Sequence, residues 1–342
     1  MDLPLESQIV NGLCQLDCTI FNIEDVINFL SQNISNKKNA DRFISWLISL
    51  DILTQNRQSW GTELYLMSKN YVDTCNEYFS QKKNDPLAFL SKCSQLMIKS
   101  DIECGMQWFY QILRDTHLKK FINSPLLRLS RIYSMISLYN EKYIYNSNAY
   151  HLGCICLIMA SIFSSYARLS IDFAESIAFY LTRSILSFIP LQQTQENKSL
   201  IYYHFDQVDQ LIQIKAPDQS KAIRNNKSSS VYFGIRYEQL LFSRENHSID
   251  DILNIWDQII IHFNRIEFIS CLTVAHICQI QIPQGPQNVN EIISNWKNWD
   301  TIKIIEDALE MLEHKRSLRE KCCFYLGLKS NLSGWDVSNL KL

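Results

Sequence analysis

Residues 232–259 read YFGIRYEQLLFSRENHSIDDILNIWDQI, and this stretch decides the fold. Ser248 has the position of a helix N-cap, and Asp251 follows three residues later in an acidic form of the capping box. The apolar residues after this cap recur every three or four positions and form one stripe: Ile249, Ile252, Leu253, Trp256, Ile259, Ile260 and Phe263. Arg244 and Glu245 mark the turn before it. The stretch therefore predicts a helical hairpin.

Helical patterns extend over the rest of the chain. An N-cap at Asn22 predicts a helix to about Leu30, and apolar residues at spacings of three and four predict another from Asp41. A last helix is predicted at about 301–326. Only 8 glycines and 7 prolines occur among 342 residues, and we find no strand alternation and no internal repeat. We therefore predict an all-α fold, with residues 215–230 as the best loop candidate.

The composition excludes several classes of function. No two glycines lie closer than seven residues, so neither a Walker-type phosphate loop nor a GxGxxG loop can be built. The 33 basic and 35 acidic residues give a net charge of -2 without blocks of like charge, which argues against a nucleic-acid partner. No secretory signal pattern is present, and the longest apolar run, 152–163, is too short to span a bilayer. We expect a cytoplasmic protein without a transmembrane segment.

Templates for catalysis and metal binding are missing from the sequence. The 11 cysteines lie singly or in close pairs, mostly within apolar stretches, as expected of reduced cysteines in a core. Cys271, His276 and Cys278 lack the paired loop spacings of a structural zinc site. There is no GxSxG elbow and no HExxH helix. We expect no self-contained enzyme and no metal or cofactor of the protein's own.

The hairpin that opens this section resembles part of a known family. In the C-terminal half of the TBC domain of Rab GTPase-activating proteins, a Leu-Leu-Phe-x-Arg-Glu-Phe turn leads to a Leu-x-x-Trp-Asp helix. Residues 240–245 and 253–257 are similar to these two elements in the same order. Two positions depart from the family pattern, since Asn246 replaces the usual Phe and Tyr237 a usual Trp.

Further motifs of the family follow one another along the chain. Arg42-Phe-Ile-Ser-Trp46 resembles the opening R-x-x-x-W motif, and Tyr150-His-Leu-Gly153 resembles the Y-x-Q-G motif. The order of three shorter segments is similar to the branch around TBC domain family member 5: Gln58-Ser-Trp60, Asn84-Asp-Pro-Leu87 and Asp101-Ile-Glu103. The shared order and spacing make the resemblance more specific than any motif alone.

The resemblance implies a domain organisation as well as a fold. It covers residues 41–328, which would form two helical subdomains at 41–165 and 166–328. A helical extension at 1–40 would precede the domain, and a tail at 329–342 would follow it. Within the domain, we assign four residues to structural roles: Arg42, Trp46, Trp256 and Asp257.

The family stimulates GTP hydrolysis on a bound Rab with an arginine and a glutamine supplied in trans. The arginine lies in I-x-x-D-x-x-R, and two alignments place it differently. One uses residues 98–104 and puts Cys104 where the arginine belongs. The other uses residues 108–114, keeps Arg114 and has Gln111 in place of the aspartate. We prefer Arg114, because its 13-residue step from Asp101 suits the family spacing.

The glutamine position is less ambiguous. In Tyr150-His-Leu-Gly153 it is occupied by Leu152, whose side chain can neither donate nor accept a hydrogen bond. The resemblance therefore implies that the glutamine is lost, whereas Tyr150 and Gly153 can still pack the helices.

Three hypotheses follow from these motifs. The chain is a Rab GTPase-activating protein that uses Arg114 alone, or an inactive TBC module that binds a small GTPase or another protein, or an unrelated helical scaffold. The resemblance favours the first, with a Rab-type GTPase as partner, a role in vesicle traffic, and recruitment from the cytoplasm to endomembranes. GTP and magnesium would belong to the partner, not to this chain.

Overall fold

The residues that the computed structural model describes form sixteen α-helices and two short 3₁₀-helices, Arg57–Ser59 and Pro86–Phe89, and no strand. These are residues 4–15, 18–20, 22–32, 39–79, 85–114, 116–140, 143, 145, 147–189, 198–245, 247–282 and 288–325, with backbone only at 89, 198 and 316–325. The all-α prediction is confirmed. The tail at 329–342 lies outside the described residues, as do Asn84 and Asn246 of the motifs.

The helices fall into two groups in chain order. The first group comprises α1 (Leu5–Gln15), α2 (Ile23–Ser31), α3 (Asn39–Ser49), α4 (Trp60–Phe79), α5 (Lys92–Ile112), α6 (Leu118–Phe121), α7 (Pro125–Tyr139), α8 (Tyr150–Tyr166) and α9 (Ile171–Ser187). The second comprises α10 (Lys198–Lys215), α11 (Pro217–Asn225), α12 (Val231–Gln239), α13 (Ile249–Ile261), α14 (Arg265–Gln279), α15 (Val289–Asn295) and α16 (Thr301–Tyr325).

Side-chain caps start two of these helices where the sequence predicts. The Asn22 side chain accepts a hydrogen bond from the backbone N–H of Asp25, and the Asp25 carboxylate accepts one from the N–H of Asn22. The Ser248 hydroxyl accepts from the N–H of Asp251 in the same way, at 3.2 Å. Each cap satisfies helix N–H groups that have no partner within the helix, so both predicted starts are confirmed.

The loop prediction for residues 215–230 is wrong in its first half. Residues 217–225 form α11, which packs against α10 and α15. Pro217 lies in the first turn, where its missing N–H costs nothing, and Ile223 is buried between the neighbouring helices. Tertiary burial thus stabilises a helix whose composition is that of a loop.

The antiparallel pair of α8 and α9 forms the centre of the first group. Helices α5, α6 and α7 contact α8, whereas α4 and α7 contact α9. Fourteen of the seventeen residues of α8 are buried, so this helix is apolar on all sides, as a fully enclosed helix must be. Because α9 packs on α8, its contacts group it with the N-terminal helices, and the division at 165/166 stays a prediction.

The second group is built around α14 and is joined to the first by α3. Helix α14 contacts α10, α12, α13 and α16, and α3 lies between α8 and α13. The rings of Phe43 on α3 and Phe163 on α8 stack with centroids 4.1 Å apart. Helix α3 therefore links the central hairpin to the C-terminal helices.

Helices α1 and α2, which form the N-terminal extension, contact helices of both groups. Helix α1 lies along α4, where Val10 fills the space left by the missing side chain of Gly61, and Gly12 lies against Ala167. Helix α2 contacts α3 and α13, and the Gln258 amide on α13 donates to the carbonyl of Leu30 at 2.9 Å. Helices α1 and α2 therefore contribute to the fold instead of standing apart from it.

Candidate functional site

The start of α8 lies against the C-terminal half of α5. Gly105 on α5 leaves the space that the Tyr150 ring occupies, since a Cβ there would lie 1.9 Å from the ring. The rings of Trp108 and His151 meet edge to face with centroids 4.2 Å apart. Asp101 accepts a hydrogen bond from the backbone N–H of Asn148 at 2.6 Å. These three contacts fix α5 beside the Tyr150–Gly153 segment.

Two tyrosine hydroxyls cap the first turn of α8. The Tyr145 hydroxyl accepts from the N–H of Tyr150 at 3.2 Å. The Tyr133 hydroxyl accepts from the N–H of Gly153 at 3.2 Å and donates to the carbonyl of Ala149. At Gly153 a Cβ would come 3.0 Å from the Tyr133 oxygen, so glycine permits this close approach. The amides of this turn are therefore used within the fold.

Leu152 lies entirely inside the core. Its side chain has no exposed surface. A side chain that reaches a water molecule of a bound partner must be exposed, and Leu152 is not. Its neighbour His151 is also buried, and burial lowers the pKa of the imidazole to about 3, with a further contribution from the charge of Arg244. His151 is therefore neutral at physiological pH, and the first turn of α8 presents neither an amide nor a cation.

Arg114 lies in the turn that follows α5. The backbone N–H of Arg114 bonds to the carbonyl of Gln111, and both side chains are exposed. Neither makes a side-chain hydrogen bond or ion pair with the rest of the described chain. Six residues separate Arg114 from Trp108, or about 9 Å at 1.5 Å per helical residue. Arg114 is thus free to meet a partner, but at a distance from the first turn of α8.

After Arg114, the chain packs against the C-terminal end of α8. The His117 imidazole lies 2.9 Å from the Ser165 hydroxyl, and its ring meets Tyr166 edge to face. Ser165 is about 20 Å from Leu152 along the axis of α8. His117, three residues after Arg114, therefore packs against the end of α8 opposite to Leu152.

Cys104, which the alternative alignment uses, lies nearer to that turn. It is exposed and precedes Gly105, on which the Tyr150 ring packs. The choice between Cys104 and Arg114 stays a prediction.

The charge of Arg244, in the turn between α12 and α13, acts on two residues in the first turn of α8. Burial raises the pKa of the Tyr150 hydroxyl, and the charge of Arg244 acts in the opposite direction on it. The same charge acts on His151. The turn itself bonds to its surroundings through Glu245, whose carboxylate accepts two hydrogen bonds of 2.7 Å from Arg236. Sequence reasoning places Arg244 in a motif but does not bring it to α8.

The four residues assigned to structure meet at the junction of α3 and α13. The Arg42 Nε lies 3.1 Å from Asp257 Oδ2, and the Trp46 indole N–H donates to Asp257 Oδ1 at 2.7 Å. The rings of Trp46 and Trp256 stack with centroids 5.7 Å apart. All four side chains are buried. This cluster joins the two helix groups.

The described part of the chain contains no group of three His, Cys, Asp or Glu side chains that could hold a metal ion. Nine cysteines are free thiols there; four are buried, two are half-buried, and Cys14, Cys93 and Cys104 are exposed. Within the same residues, no helix is long and apolar enough to cross a membrane.

The burial of Leu152 leads to a prediction for the glutamine that the family would have there. We expect Leu152→Gln to lower the free energy of unfolding by about 2–5 kcal/mol, because an amide without a partner would replace a packed side chain. Chemical denaturation measures this change. The control Leu152→Met conserves volume and should cost less than about 1.5 kcal/mol. Equal stability of Leu152→Gln and wild type would contradict the enclosed position.

Comparison with known proteins supports the fold but not a closer relationship. No protein-family model and no curated protein sequence matches this chain. Among solved structures, the Ypt/Rab-GAP domain of Gyp1p is similar with a TM-score of 0.62 and 15% sequence identity. The match covers 92% of this chain and 100% of that domain. The chain therefore has the same all-α fold as that domain over almost its whole length.

Proposed function

We propose that this chain binds a Rab-type small GTPase and stimulates its GTP hydrolysis weakly, through a single arginine. The observation that carries the proposal is the free, exposed side chain of Arg114 in the turn after α5. The fold shared with the Ypt/Rab-GAP domain of Gyp1p supports it, as does the family order of the sequence motifs.

The chemistry follows from what a guanidinium does in phosphoryl transfer. Charge builds on the oxygens of the transferring phosphoryl group, and an arginine supplied by a GTPase-activating protein stabilises it by about 10³–10⁵ in rate. Leu152 is buried and apolar, so the GTPase's own glutamine must orient the attacking water. Nucleotide and magnesium belong to the GTPase. We expect activity at or below the lower end of that range.

A second candidate function is binding without catalysis. The burial of Leu152 and the distance between Arg114 and the first turn of α8 favour an inactive module that binds a GTPase or another protein. In both cases we propose that the partner recruits the chain to endomembranes, where it takes part in vesicle traffic.

Single-turnover GTP hydrolysis on a panel of Rab proteins tests the proposal. We expect wild type to accelerate hydrolysis on at least one Rab, and Arg114→Ala to return the rate to the intrinsic value of that Rab. The matched control is Arg224→Ala, which removes an exposed arginine from α11. If wild type binds a Rab but leaves its rate unchanged, activation is ruled out and the binding module remains. If no Rab binds, activation and Rab binding are both wrong, and only the binding of another protein is left of the second candidate.

The same assay separates the two alignments of the arginine. If Cys104 occupies the arginine position, Cys104→Arg should increase the acceleration, and Arg114→Ala should leave it unchanged. If Arg114 occupies it, Arg114→Ala should abolish the acceleration, and Cys104→Arg should leave it unchanged.

A further inference from the structure

A cavity of about 330 Å³ lies between α4, α7 and α9, and no residue of the candidate site lines it. Part of its lining is apolar and comes from Val72 and Phe79 on α4, Leu127 on α7, and Pro86. Sites for small molecules measure about 300–1,000 Å³, so this cavity suits a compact ligand. Its apolar surface favours a ligand that carries an apolar group of its own.

Charged side chains also line the cavity, and the Glu175 carboxylate is the buried one among them. Its Oε1 accepts hydrogen bonds from the Tyr71 hydroxyl at 2.8 Å and from Arg131 Nε at 2.6 Å. Its Oε2 accepts from Arg128 Nη1 and from Arg131 Nη2, both at 2.5 Å. A carboxylate has about four lone-pair sites, so Glu175 is fully used within the fold.

Two other charged groups of the lining retain capacity for a ligand. Arg131 binds Glu175 through Nε and Nη2, and its Nη1 has no partner among the described residues. Asp172 accepts from Arg128 through Oδ1 at 2.7 Å, and its Oδ2 has no partner in the same part of the chain. Both side chains reach solvent, with exposed fractions of 24% for Arg131 and 68% for Asp172. The cavity therefore offers a ligand one guanidinium edge and one carboxylate oxygen.

These two groups lie close together. Asp172 Oδ1 is 2.7 Å from Arg128 Nη1, and that nitrogen is 2.5 Å from Glu175 Oε2. The same Glu175 oxygen is 2.5 Å from Arg131 Nη2. The Asp172 carboxylate and the Arg131 guanidinium are therefore no further apart than these three contacts together. The ammonium and carboxylate of an α-amino acid, each with a hydrogen bond of about 2.7–3.2 Å, span a similar distance.

A ligand with a single charge, or with none, suits this arrangement less well. An anion at Arg131 would also meet the carboxylate of Asp172, with no cation between the two negative charges. A cation at Asp172 would leave the Nη1 donors of Arg131 without an acceptor. A neutral apolar ligand would displace water from both groups and replace none of its hydrogen bonds. A zwitterion with an apolar side chain satisfies both charged groups and the apolar part of the lining.

We propose that the cavity binds a free α-amino acid with an apolar side chain. The ligand carboxylate accepts from Arg131 Nη1, the ligand ammonium donates to Asp172 Oδ2, and the ligand side chain packs against Val72 and Leu127. This inference goes beyond the proposed function and does not depend on it, because the cavity shares no residue with the candidate site.

Isothermal titration calorimetry of the full chain with L-leucine and three analogues tests the inference. N-acetyl-leucine lacks the cation, leucine methyl ester lacks the anion, and glycine lacks the apolar body. We expect L-leucine to bind at least about tenfold more tightly than the ester and glycine, because each lacks a contact inside the cavity. The advantage over N-acetyl-leucine should be smaller, about two- to fivefold, because Asp172 is exposed and solvent screens its ion pair.

Two variants locate the ligand. Val72→Trp adds bulk to the lining from an exposed position, takes part in none of the hydrogen bonds above, and should abolish leucine binding. Its matched control is Leu66→Trp, at an exposed position of α4 that does not line the cavity, and this variant should bind leucine as wild type does. Asp172→Asn should weaken leucine binding about two- to fivefold without weakening the binding of N-acetyl-leucine.

Three results would overturn the inference. Equal binding of L-leucine and N-acetyl-leucine would mean that the cavity does not recognise the ammonium. Leucine binding that survives in Val72→Trp would place the ligand elsewhere on the chain. Absence of leucine binding at millimolar concentration would mean that the cavity takes no such ligand. None of these measurements involves a GTPase, so the failure of this inference leaves the proposed function intact, and the failure of the proposed function leaves this inference intact.

Discussion

Replacement of Asp257 by alanine is expected to lower the free energy of unfolding by about 3–5 kcal/mol, among the largest effects of any single substitution in this chain. The Asp257 carboxylate is completely buried and accepts hydrogen bonds from Arg42 at 3.1 Å and from Trp46 at 2.7 Å. Its removal leaves the Arg42 guanidinium, only 3% exposed, without a counter-charge. Equilibrium denaturation in urea measures the loss.

The cost arises from what remains after the substitution. A buried guanidinium that has lost its carboxylate retains its full desolvation penalty, and the single bond to Asn254 at 2.8 Å cannot replace the ion pair. The indole N–H of Trp46 loses its acceptor at the same time. Because Arg42 and Asp257 are 215 residues apart in sequence, the pair joins the N-terminal and C-terminal helix groups. We therefore expect the loss to affect the association of the two groups.

Two variants test this explanation. Asp250→Ala removes an exposed aspartate from the first turn of the same helix. It should lower the free energy of unfolding by much less than Asp257→Ala does. The double variant Arg42→Met with Asp257→Leu replaces both charges by apolar groups and should recover most of the stability lost in Asp257→Ala. If the double variant is no more stable than Asp257→Ala alone, the uncompensated charge is not the cause.

Two helix caps and helix α11 illustrate what the sequence can and cannot predict. The helix starts at Asn22 and Ser248 were predictable, because a cap and its amide lie within three residues of each other. Helix α11 at 217–225 was not, because burial of Ile223 by α10 and α15 outweighs a polar, loop-like composition. Local signals thus predicted the fold class, whereas tertiary contacts decided the exception.

The sequence likewise predicts some features of the candidate site and not others. That Leu152 stands at the family's glutamine position stays a prediction from the motif, whereas the complete burial of Leu152 depends on the helices that enclose α8. The charge of Arg244 acts on Tyr150 and His151 from more than 90 positions away in sequence, and no spacing rule in a single sequence contains that interaction. The sequence therefore supplied the residue types, and the packing of the helices determined which of them lie close together.

Acidification is expected to destabilise the protein because of histidines that are buried in their neutral form. His247 and His276 lie with their Nε2 atoms 3.0 Å apart inside the C-terminal helix group. Burial lowers the pKa of His247 to about 3. Burial, together with the neighbouring His247, lowers the pKa of His276 well below its ordinary value. Both imidazoles are therefore neutral in the folded protein above about pH 5.

The hydrogen bonds of this pair have one consistent direction. His276 Nδ1 lies 2.7 Å from the carbonyl of Leu272 and must donate to it, so its Nε2 carries a lone pair. His247 Nε2 must then donate to His276, and His247 Nδ1 accepts from the Thr301 hydroxyl at 3.2 Å. A proton added at His276 Nε2 would turn the hydrogen bond from His247 into a contact between two donors. The hydrogen bonds and the burial of both rings therefore favour the neutral pair.

The sign of the effect follows from proton binding in the two states. An unfolded histidine binds a proton below about pH 6.5, whereas the folded pair does not, so stability is present above pH 6.5 and is lost as the pH falls towards the folded pKa. Between pH 7.5 and pH 5, each histidine should cost about 2 kcal/mol, and the pair about 4 kcal/mol. His151, with a pKa of about 3, adds a similar loss near the candidate site.

The test compares the pH dependence of urea unfolding in wild type and in His247→Gln. Glutamine can donate to His276 and accept from Thr301 without titrating, so we expect this variant to lose about 2 kcal/mol less than wild type between pH 7.5 and pH 5. His314→Gln removes an exposed histidine from α16 and should leave the wild-type pH dependence unchanged. An identical loss in wild type and His247→Gln would mean that His247 is not buried neutral. The acid sensitivity would then have to come from other groups.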